Sequence, residues 1–447
     1  MKTVIITLAA LVLSMFAYGQ GLFESATKTV TNEQETVKLN GYVRGSAFGG
    51  GKIYDFTNAF GEVSLQANLK RNKFILNSDI RFRSGYDFNE TISEFEVKEA
   101  YAGINTPGFD LLLGEQIVSW GRTDGFNPTN NITPNNYFFF SANPDDQKIP
   151  NFLMKANIRF SPQVDCEIIA IPIFRPSMYC YDLFDMGKDV SFDDAVLPLK
   201  NIENASVAAK LNVELAGIGF SASWFRGFDP FYGFDLKSVD FTTGSPVIVY
   251  TPAFYAKNSI GADFTLPLGQ LIIRGEGALN LNENNNQKMY VPNNDIAYVA
   301  AIERDFYGFA TIVQYIGKYT FDFSGLTEPV LADPMNMMAQ LQYATEMISY
   351  ESASFNRKIF HQQEEMNHAV SVAISKDFAY ETVNLELSGL YDITSKEYLV
   401  RPKLTWKTGG GLTVSAGYSY MKGPEKSVFS YAAPIMNGAF IEMRANF

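Results

Sequence analysis

The chain has 447 residues and a formal charge of -12, with 37 Phe and 24 Tyr but only two His and two Cys. The negative charge argues against nucleic acid as a partner, because a phosphate backbone is bound by surplus Lys and Arg. The many aromatic rings are typical of proteins that place ring girdles at the two interfaces of a membrane.

The N-terminus has the organisation of a secretory signal peptide. Lys2 is followed by an apolar stretch over 4–16 that is too short to span a membrane, and Ala17-Tyr18-Gly19 supplies small residues for cleavage. We therefore predict a signal peptide over 1–19 and a short periplasmic segment over 20–36. Beyond residue 20 no run approaches the roughly 18 apolar residues of a transmembrane helix, which leaves secreted, periplasmic and outer-membrane destinations.

From residue 37 onward, short segments alternate between apolar and polar residues, as half-buried β-strands do. The segment 60–70, for example, places Val63 and Leu65 opposite Glu62 and Ser64. About eighteen such segments can be traced, with sixteen as the alternative, each near the length of a tilted membrane strand. They cover 37–48, 60–70, 74–84, 93–105, 109–121, 152–161, 163–174, 204–216, 218–227, 254–266, 271–281, 295–306, 308–318, 367–378, 382–392, 397–407, 411–421 and 435–447.

The links between these segments alternate in length. After every second segment the link is tight, as at Thr106-Pro107-Gly108, whereas most of the others are longer, including 85–92, 122–151, 175–203 and 319–366. Short periplasmic turns at one end and long extracellular loops at the other are typical of bacterial outer-membrane barrels. The sequence therefore predicts an all-β fold, a transmembrane antiparallel up-and-down β-barrel over 37–447.

The last segment supports the same fold. Ile441, Met443, Ala445 and Phe447 lie on one face of the strand, with polar residues between them. This ending resembles the closing strand of Gram-negative outer-membrane β-barrels, whose terminal Phe is read by the barrel assembly machinery. The stretch 111–122, LLLGEQIVSWGR, is similar to a strand-end segment in a poorly characterised branch of porin-like channels. The resemblance implies an outer-membrane location, contact with lipid and lipopolysaccharide, and a monomer or homotrimer.

A barrel of this width leaves a water-filled lumen whose inward-facing residues decide what passes. Positive and negative side chains nearly balance on the predicted inner wall, so cross-lumen ion pairs explain most of them. The remaining interpretation is a basic ladder near the seam between the first and last strands. The candidate pore-lining residues on the wall are Arg44, Arg81, Arg83, Arg159, Arg401, Lys403, Glu442 and Arg444.

The loop 122–151 is the best candidate for a constriction, because a long loop after an early strand often folds into a porin lumen. It carries the rings Tyr137, Phe138, Phe139 and Phe140, followed by Asp145 and Asp146. In one interpretation the rings stack on sugar faces while the carboxylates bind hydroxyls. In the other the rings pack against neighbouring loops.

The longest loop, 319–366, contains a helical pattern that starts at Pro334. This helix would enter the lumen as a plug, cover the mouth as a lid, or pack on neighbouring loops. The end of the loop carries His361, Glu364, Glu365 and His368, whose spacing would converge on a metal if the segment were helical. Because His368 begins a predicted strand, we expect no metal site and no cofactor. No catalytic motif occurs, and we expect no enzymatic activity.

The cysteines test the strand assignment. Cys166 lies near the start of the strand 163–174, and Cys180 lies in the loop beyond its far end. Eight strand residues at about 3.3 Å each put Cys166 roughly 26 Å from that end, whereas a disulfide needs Cα atoms within about 7 Å. We therefore predict two free thiols.

Three functions are compatible with these patterns. A channel for the diffusion of small hydrophilic solutes is favoured, with sugars as the first candidates because aromatic rings and balanced charge suit neutral polyols. A barrel plugged for uptake of hydrophobic compounds is the second. A non-conducting outer-membrane scaffold or adhesin is the third.

Overall fold

A computed structural model describes residues 36–52, 56–88, 90–187, 189–242, 246–283 and 288–447. The predicted signal peptide and nearly all of the segment 20–36 lie outside the described residues. Eighteen strands form one closed antiparallel barrel, which confirms the predicted fold class and strand count. Three further strands, β8, β11 and β12, form a small separate sheet within the loops.

The strand bounds follow the predicted segments closely through most of the barrel. The strands are β1 (Thr36–Gly49), β2 (Phe56–Arg71), β3 (Phe74–Asp87), β4 (Glu90–Asn105), β5 (Phe109–Gln116), β6 (Asn151–Ser161), β7 (Val164–Ile171), β8 (Val190–Phe192), β9 (Ser206–Leu215), β10 (Ile218–Phe228), β11 (Gly233–Asp240), β12 (Val247–Ala253), β13 (Ala256–Leu268), β14 (Leu271–Asn282), β15 (Asp295–Phe306), β16 (Phe309–Thr320), β17 (Met366–Phe378), β18 (Val383–Asp392), β19 (Glu397–Gly409), β20 (Leu412–Lys422) and β21 (Gly438–Asn446). The α-helices are α1 (Met337–Ile359) and α2 (Val428–Met436).

Polarity is inverted relative to a water-soluble protein. On β2, Leu65 is 59% exposed, whereas Glu62 and Ser64 are buried. The same alternation recurs on β9 and β18, where Leu211 and Leu385 are exposed. Because the sheet closes on itself, the exposed apolar face is the outer one and the buried polar face lines the interior. No helix in the described ranges is long and apolar enough to cross a membrane.

The two ends of the barrel differ in the length of their links. Short turns join β2 to β3, β4 to β5, β6 to β7 and β9 to β10, and the same pattern continues around one end. The other end carries the long loops 117–150, 172–205, 229–255 and 321–365. The predicted long link 85–92 is wrong, because β3 continues to Asp87 and β4 already begins at Glu90. Phe88 lies between the two strands and has a positive φ.

Two predicted strand ends were also wrong. The fifth strand ends at Gln116 rather than residue 121, because the chain then leaves the wall and enters the lumen. The last strand begins at Gly438 rather than residue 435, because the preceding residues form α2, capped by the Ser427 hydroxyl. The sequence pattern gave no sign of α2, whose apolar residues continue directly into the strand.

The barrel closes through antiparallel pairing of β1 with β21. Gly41 and Phe447 extend this seam by exchanging two backbone hydrogen bonds, each 2.9 Å long. A Cβ atom at Gly41 would lie 2.6 Å from the Phe447 ring and 2.5 Å from the Ser64 carbonyl oxygen, so only glycine fits there. The terminal strand thus closes the barrel, as its alternation predicts.

An aromatic cap covers the loop end, and we use this name for the cluster of Phe48, Phe138, Phe140, Phe184, Tyr232, Phe234, Tyr250 and Phe355. Helix α1 joins the cap through Phe355 and Asn356. The Asn356 side-chain amide accepts from the Phe234 backbone N–H and donates to its carbonyl, both at 2.8 Å. The helix predicted from Pro334 is therefore confirmed, and it packs on neighbouring loops.

Both cysteines are free thiols, as predicted. Cys166 lies on β7, and Cys180 packs against the aromatic cap. Burial raises the pKa of the Cys180 thiol to about 12, so little reactive thiolate is present at neutral pH.

The face assignment is tested by cysteine labelling in a background that lacks both native thiols. We expect Leu65→Cys and Leu211→Cys to react with lipid-soluble reagents and to resist membrane-impermeant ones, because these positions face outward. Gln66→Cys and Asn212→Cys should show the opposite behaviour. A reversed pattern would contradict the strand register, since a shift of one residue exchanges the two faces.

Candidate pore constriction

The segment 117–150, which we call the lumen loop, crosses the inside of the barrel. It leaves β5 and returns to β6, strands that are neighbours in the wall. Between these points its residues contact inward-facing side chains of β1, β3, β4, β7, β9, β13, β14, β16 and β21. These strands are distributed around most of the barrel, so the loop fills a large part of its cross-section.

The first anchor of the lumen loop is the buried Glu276 carboxylate on β14. It accepts hydrogen bonds from the backbone N–H groups of Arg122 at 3.1 Å and Thr129 at 2.9 Å. The hydroxyls of Thr123 and Thr129 add bonds of 2.9 and 2.8 Å. Gly121 makes this approach possible, since its φ is +104° and a Cβ atom there would lie 2.5 Å from a Glu276 oxygen. The loop therefore wraps around a fixed negative charge.

Ion pairs reinforce this anchor on neighbouring strands. Arg122 lies 2.6 Å from Asp263 of β13 and also pairs with Glu214 of β9. Asp124 of the lumen loop pairs with Arg274 of β14. The lumen loop thus contributes one cation and one anion, and the wall supplies a partner of opposite charge for each. Little uncompensated charge remains where the loop meets β9, β13 and β14.

A second, apolar anchor lies on the wall formed by β6, β7, β9 and β10. Val118, Trp120 and Ile132 of the lumen loop form a buried cluster with the inward-facing wall residues Leu153, Ile169, Ile171, Ala208 and Phe225. The Trp120 indole N–H donates to Glu167 at 2.5 Å. Sequence reasoning missed this contact, because it took the inner wall to be polar throughout.

The third anchor joins the far part of the lumen loop to β1 and β3. Asp146 lies 2.5 Å from Arg44 and 2.9 Å from Arg81, and Lys98 donates to its backbone carbonyl at 2.8 Å. Burial alone would raise the pKa of Asp146, but the Arg44 and Arg81 guanidiniums outweigh burial and hold the pKa well below its usual range. The carboxylate therefore stays ionised and bound.

Arg44 connects this anchor to the seam of the barrel. Its side chain is fully buried and also pairs with Glu62 of β2 at 2.8 Å and with Glu442 of β21 at 3.5 Å. Arg83 shares Glu62 at 2.7 Å. The structure thus brings together five of the predicted site residues, namely Arg44, Arg81, Arg83, Asp146 and Glu442.

The predicted aromatic residues of the loop pack against protein. Phe138 and Phe140 belong to the aromatic cap. Phe139 lies under the Arg83 guanidinium, whose central carbon is 4.2 Å from the centroid of the Phe139 ring. Tyr137 makes edge contacts with Tyr179 and Phe231. Since Phe138, Phe139 and Phe140 are buried, the arrangement matches packing against other loops rather than a platform for sugars.

The other predicted wall residues lie apart from this cluster. Arg159 pairs with Asp110 near the turn end, and Lys403 pairs with Glu386 at 2.9 Å. Arg401 donates to the Ser419 hydroxyl, and Arg444 stacks over Tyr42. Asp145 forms an exposed ion pair with Lys148 at 2.8 Å. The predicted basic ladder consists of Arg44, Arg401, Lys403 and Arg444. Carboxylates compensate Arg44 and Lys403, so the ladder is interrupted at two of these four positions.

The weak metal candidates are not on one helix face. Helix α1 ends at Ile359, and His361 has a φ of +52° and lies 3.5 Å from Asp392. Glu365 accepts from the Tyr319 hydroxyl, and the Glu364 carbonyl accepts from the Asn367 side chain. These residues therefore do not share a helix, the condition on which their convergence on a metal depended. The described part of the chain holds no group of three His, Cys, Asp or Glu residues placed to bind a metal ion.

Comparisons with known proteins identify the architecture. No family model matches the sequence, and no curated protein does so. Among solved structures, OccK2 (OpdF) of Pseudomonas aeruginosa, solved in complex with glucuronate, superposes with a TM-score of 0.54 at 8% identity, over 92% of this chain and 97% of that chain. OccAB3 of Acinetobacter baumannii gives 0.53 at 10% identity, over 92% and 98%. The fold is that of Gram-negative outer-membrane channels. At such identities the likeness concerns the barrel architecture.

Removing the charge of Asp146 should release the far part of the lumen loop. In Asp146→Asn the buried guanidiniums of Arg44 and Arg81 lose a counter-charge, and breaking a buried pair typically costs about 3–5 kcal/mol. We expect faster protease cleavage within 138–148 of the micelle-bound protein, mapped by mass spectrometry. Asp145→Asn is the matched control, because an exposed pair contributes at most about 1 kcal/mol. Equal cleavage of both variants would contradict the anchor.

The same anchor should resist acid. Because the pKa of Asp146 is lowered in the folded protein, its contribution is complete above about pH 4, the ordinary carboxyl value, and is lost as pH falls further. We expect hydrogen exchange of 138–148, corrected for intrinsic rates, to be constant from neutral pH to about pH 4 and to increase below it. Loss of protection near neutral pH would show that another group controls the loop.

Proposed function

We propose that this protein is an outer-membrane channel through which small hydrophilic solutes diffuse. The closed barrel, its apolar outer face and its polar inner face support this function, as does the fold shared with outer-membrane channels. In this proposal the short turns face the periplasm and the long loops face outward. The signal peptide directs export, and the chain works as a monomer or homotrimer among lipid and lipopolysaccharide.

The observation that carries the proposal is the uneven filling of the lumen. Against β1 and β2, the lumen loop leaves the inward-facing Arg44 and Glu62 side chains with no exposed surface. On β18 and β19, the inward-facing Glu386 and Lys403 side chains remain 36% and 20% exposed. Arg401 is also only partly buried. We infer that the solute path runs between the lumen loop and the wall formed by β17 to β20, beside the Lys403 ammonium, which donates to the Ala142 carbonyl of the loop at 3.5 Å.

The chemistry of this path suits small polar solutes. Glu386 and Lys403 form a neutral pair, and hydroxyls of Ser388, Thr405 and Ser415 lie on the same inner faces. Such a wall offers donors and acceptors without a large net charge, so sugars and other polyols remain suitable solutes. The support for sugars now comes from the hydroxyl-lined wall rather than from the aromatic rings of the lumen loop.

Bilayer recording tests the channel and its path together. We expect stable single-channel currents and, in liposome swelling, faster entry of smaller sugars. Glu386→Gln should shift ion selectivity toward anions, because Lys403 and Arg401 then face the path without their nearby carboxylate. Lys403→Gln should shift it toward cations.

The exposed loop pair of Glu351 and Lys426 provides the control, and Glu351→Gln should leave selectivity unchanged. An unchanged reversal potential in both lumen variants would place the path elsewhere. A protein that is assembled but electrically silent would favour the alternatives, a barrel plugged for hydrophobic compounds or a non-conducting scaffold or adhesin.

A further inference from the structure

A basic cavity lies at the turn end of the barrel, beside the β2–β3 and β4–β5 turns. It has a volume of about 490 Å³, within the range of small-molecule sites. The residues that line it include Lys70, Asn72, Lys73, Asn105, Thr106 and Arg159. Three of these side chains are cationic, and the nearest carboxylate, Asp110, pairs with Arg159 and accepts from the Asn105 side chain. The three cations stand out in a chain whose overall charge is -12.

Three hairpin ends fix the shape of the cavity. The Asn105 N–H donates to the Lys73 carbonyl at 2.7 Å, which joins the β2–β3 turn to the end of β4. The Arg159 N–H donates to the Gly108 carbonyl at 3.0 Å, which joins β6 to the β4–β5 turn. The cavity therefore rests on hydrogen-bonded backbone rather than on a long loop, and the backbone positions of its cationic residues are fixed relative to one another.

The cations differ in how far they are compensated. Arg159 uses part of its guanidinium on Asp110 and on the Thr106 carbonyl. The ammonium groups of Lys70 and Lys73 are exposed and make no ion pair or hydrogen bond with the described residues. Lys70 is in phase with the inward-facing Glu62 and Ser64 along β2, so its charge lies on the lumen side of the rim.

We propose that this cavity binds a phosphate group. A phosphomonoester carries close to two negative charges near pH 7 and the phosphodiester of a lipid headgroup carries one, and either can be bound by two ammonium groups and a partly engaged guanidinium. The Asn105 side-chain amide donates to Asp110 and the Thr106 hydroxyl donates to the Phe109 carbonyl, so the proposal rests on the three cations. The phosphate belongs either to a phosphorylated solute at the turn end of the lumen or to a phospholipid headgroup at the rim.

Binding is measured on the full-length protein in micelles, so the result does not depend on conduction. Calorimetric titration with glucose 6-phosphate should show binding that weakens as salt is added, whereas glucose should show none. The double variant Lys70→Gln/Lys73→Gln should bind about tenfold more weakly. Lys407→Gln is the control, because it removes an exposed lysine of β19 that also lies at the turn end of the barrel. This variant should bind glucose 6-phosphate as tightly as the unmodified chain does.

Two further experiments distinguish a phosphorylated solute from a phospholipid headgroup as the source of the phosphate. Inorganic phosphate should compete with glucose 6-phosphate if a free group is bound. Retention of phosphatidylglycerol in native mass spectra, lost in the double variant, would instead assign the site to a lipid headgroup. Equal binding of glucose and glucose 6-phosphate, or unchanged affinity in a double variant that still migrates as a heat-modifiable barrel, would overturn the proposal.

Discussion

The buried Arg44 guanidinium is the interaction on which much of the structure depends. It contacts carboxylates from three separate parts of the chain, namely Glu62 on the neighbouring strand, Asp146 in the lumen loop and Glu442 on the closing strand. Removing such charges from water costs several kcal/mol per ion, and only close partners of opposite sign offset this cost. One cation therefore connects the seam of the barrel to the far part of the lumen loop.

This arrangement follows from the inverted polarity of the wall. A barrel in lipid places its apolar side chains outside, so its interior cannot be held together by a continuous hydrophobic core. Hydrogen-bonded strands and ion pairs hold the membrane-spanning part. The aromatic cap, in contrast, is a conventional apolar core, built from loops and supported by α1 and Asn356. Along the barrel axis, polar packing in the membrane-spanning wall is thus followed by apolar packing in the aromatic cap at the loop end.

The sequence was most informative where structure is local. Period-two alternation and link length identified the eighteen barrel strands, because both follow from the neighbouring residues on the strand. Asp146 was also identified, since it follows the aromatic run of a long loop. Its pairing with Arg44 was not, although Arg44 was itself a candidate wall residue, because the two lie over a hundred residues apart along the chain. The role of Glu276 was not identified either, because it depends on Gly121, whose close approach only the folded loop reveals.

The lumen loop and the seam share a consequence for assembly. Asp146 is held by Arg44 on the first strand, yet the last carboxylate of that cluster, Glu442, arrives only with the final strand. A barrel that is still open at the seam has an incomplete charge cluster and therefore an incompletely fixed lumen loop. The pairing that seals the wall against lipid thus also brings in the carboxylate that completes the charge cluster around the far part of the lumen loop.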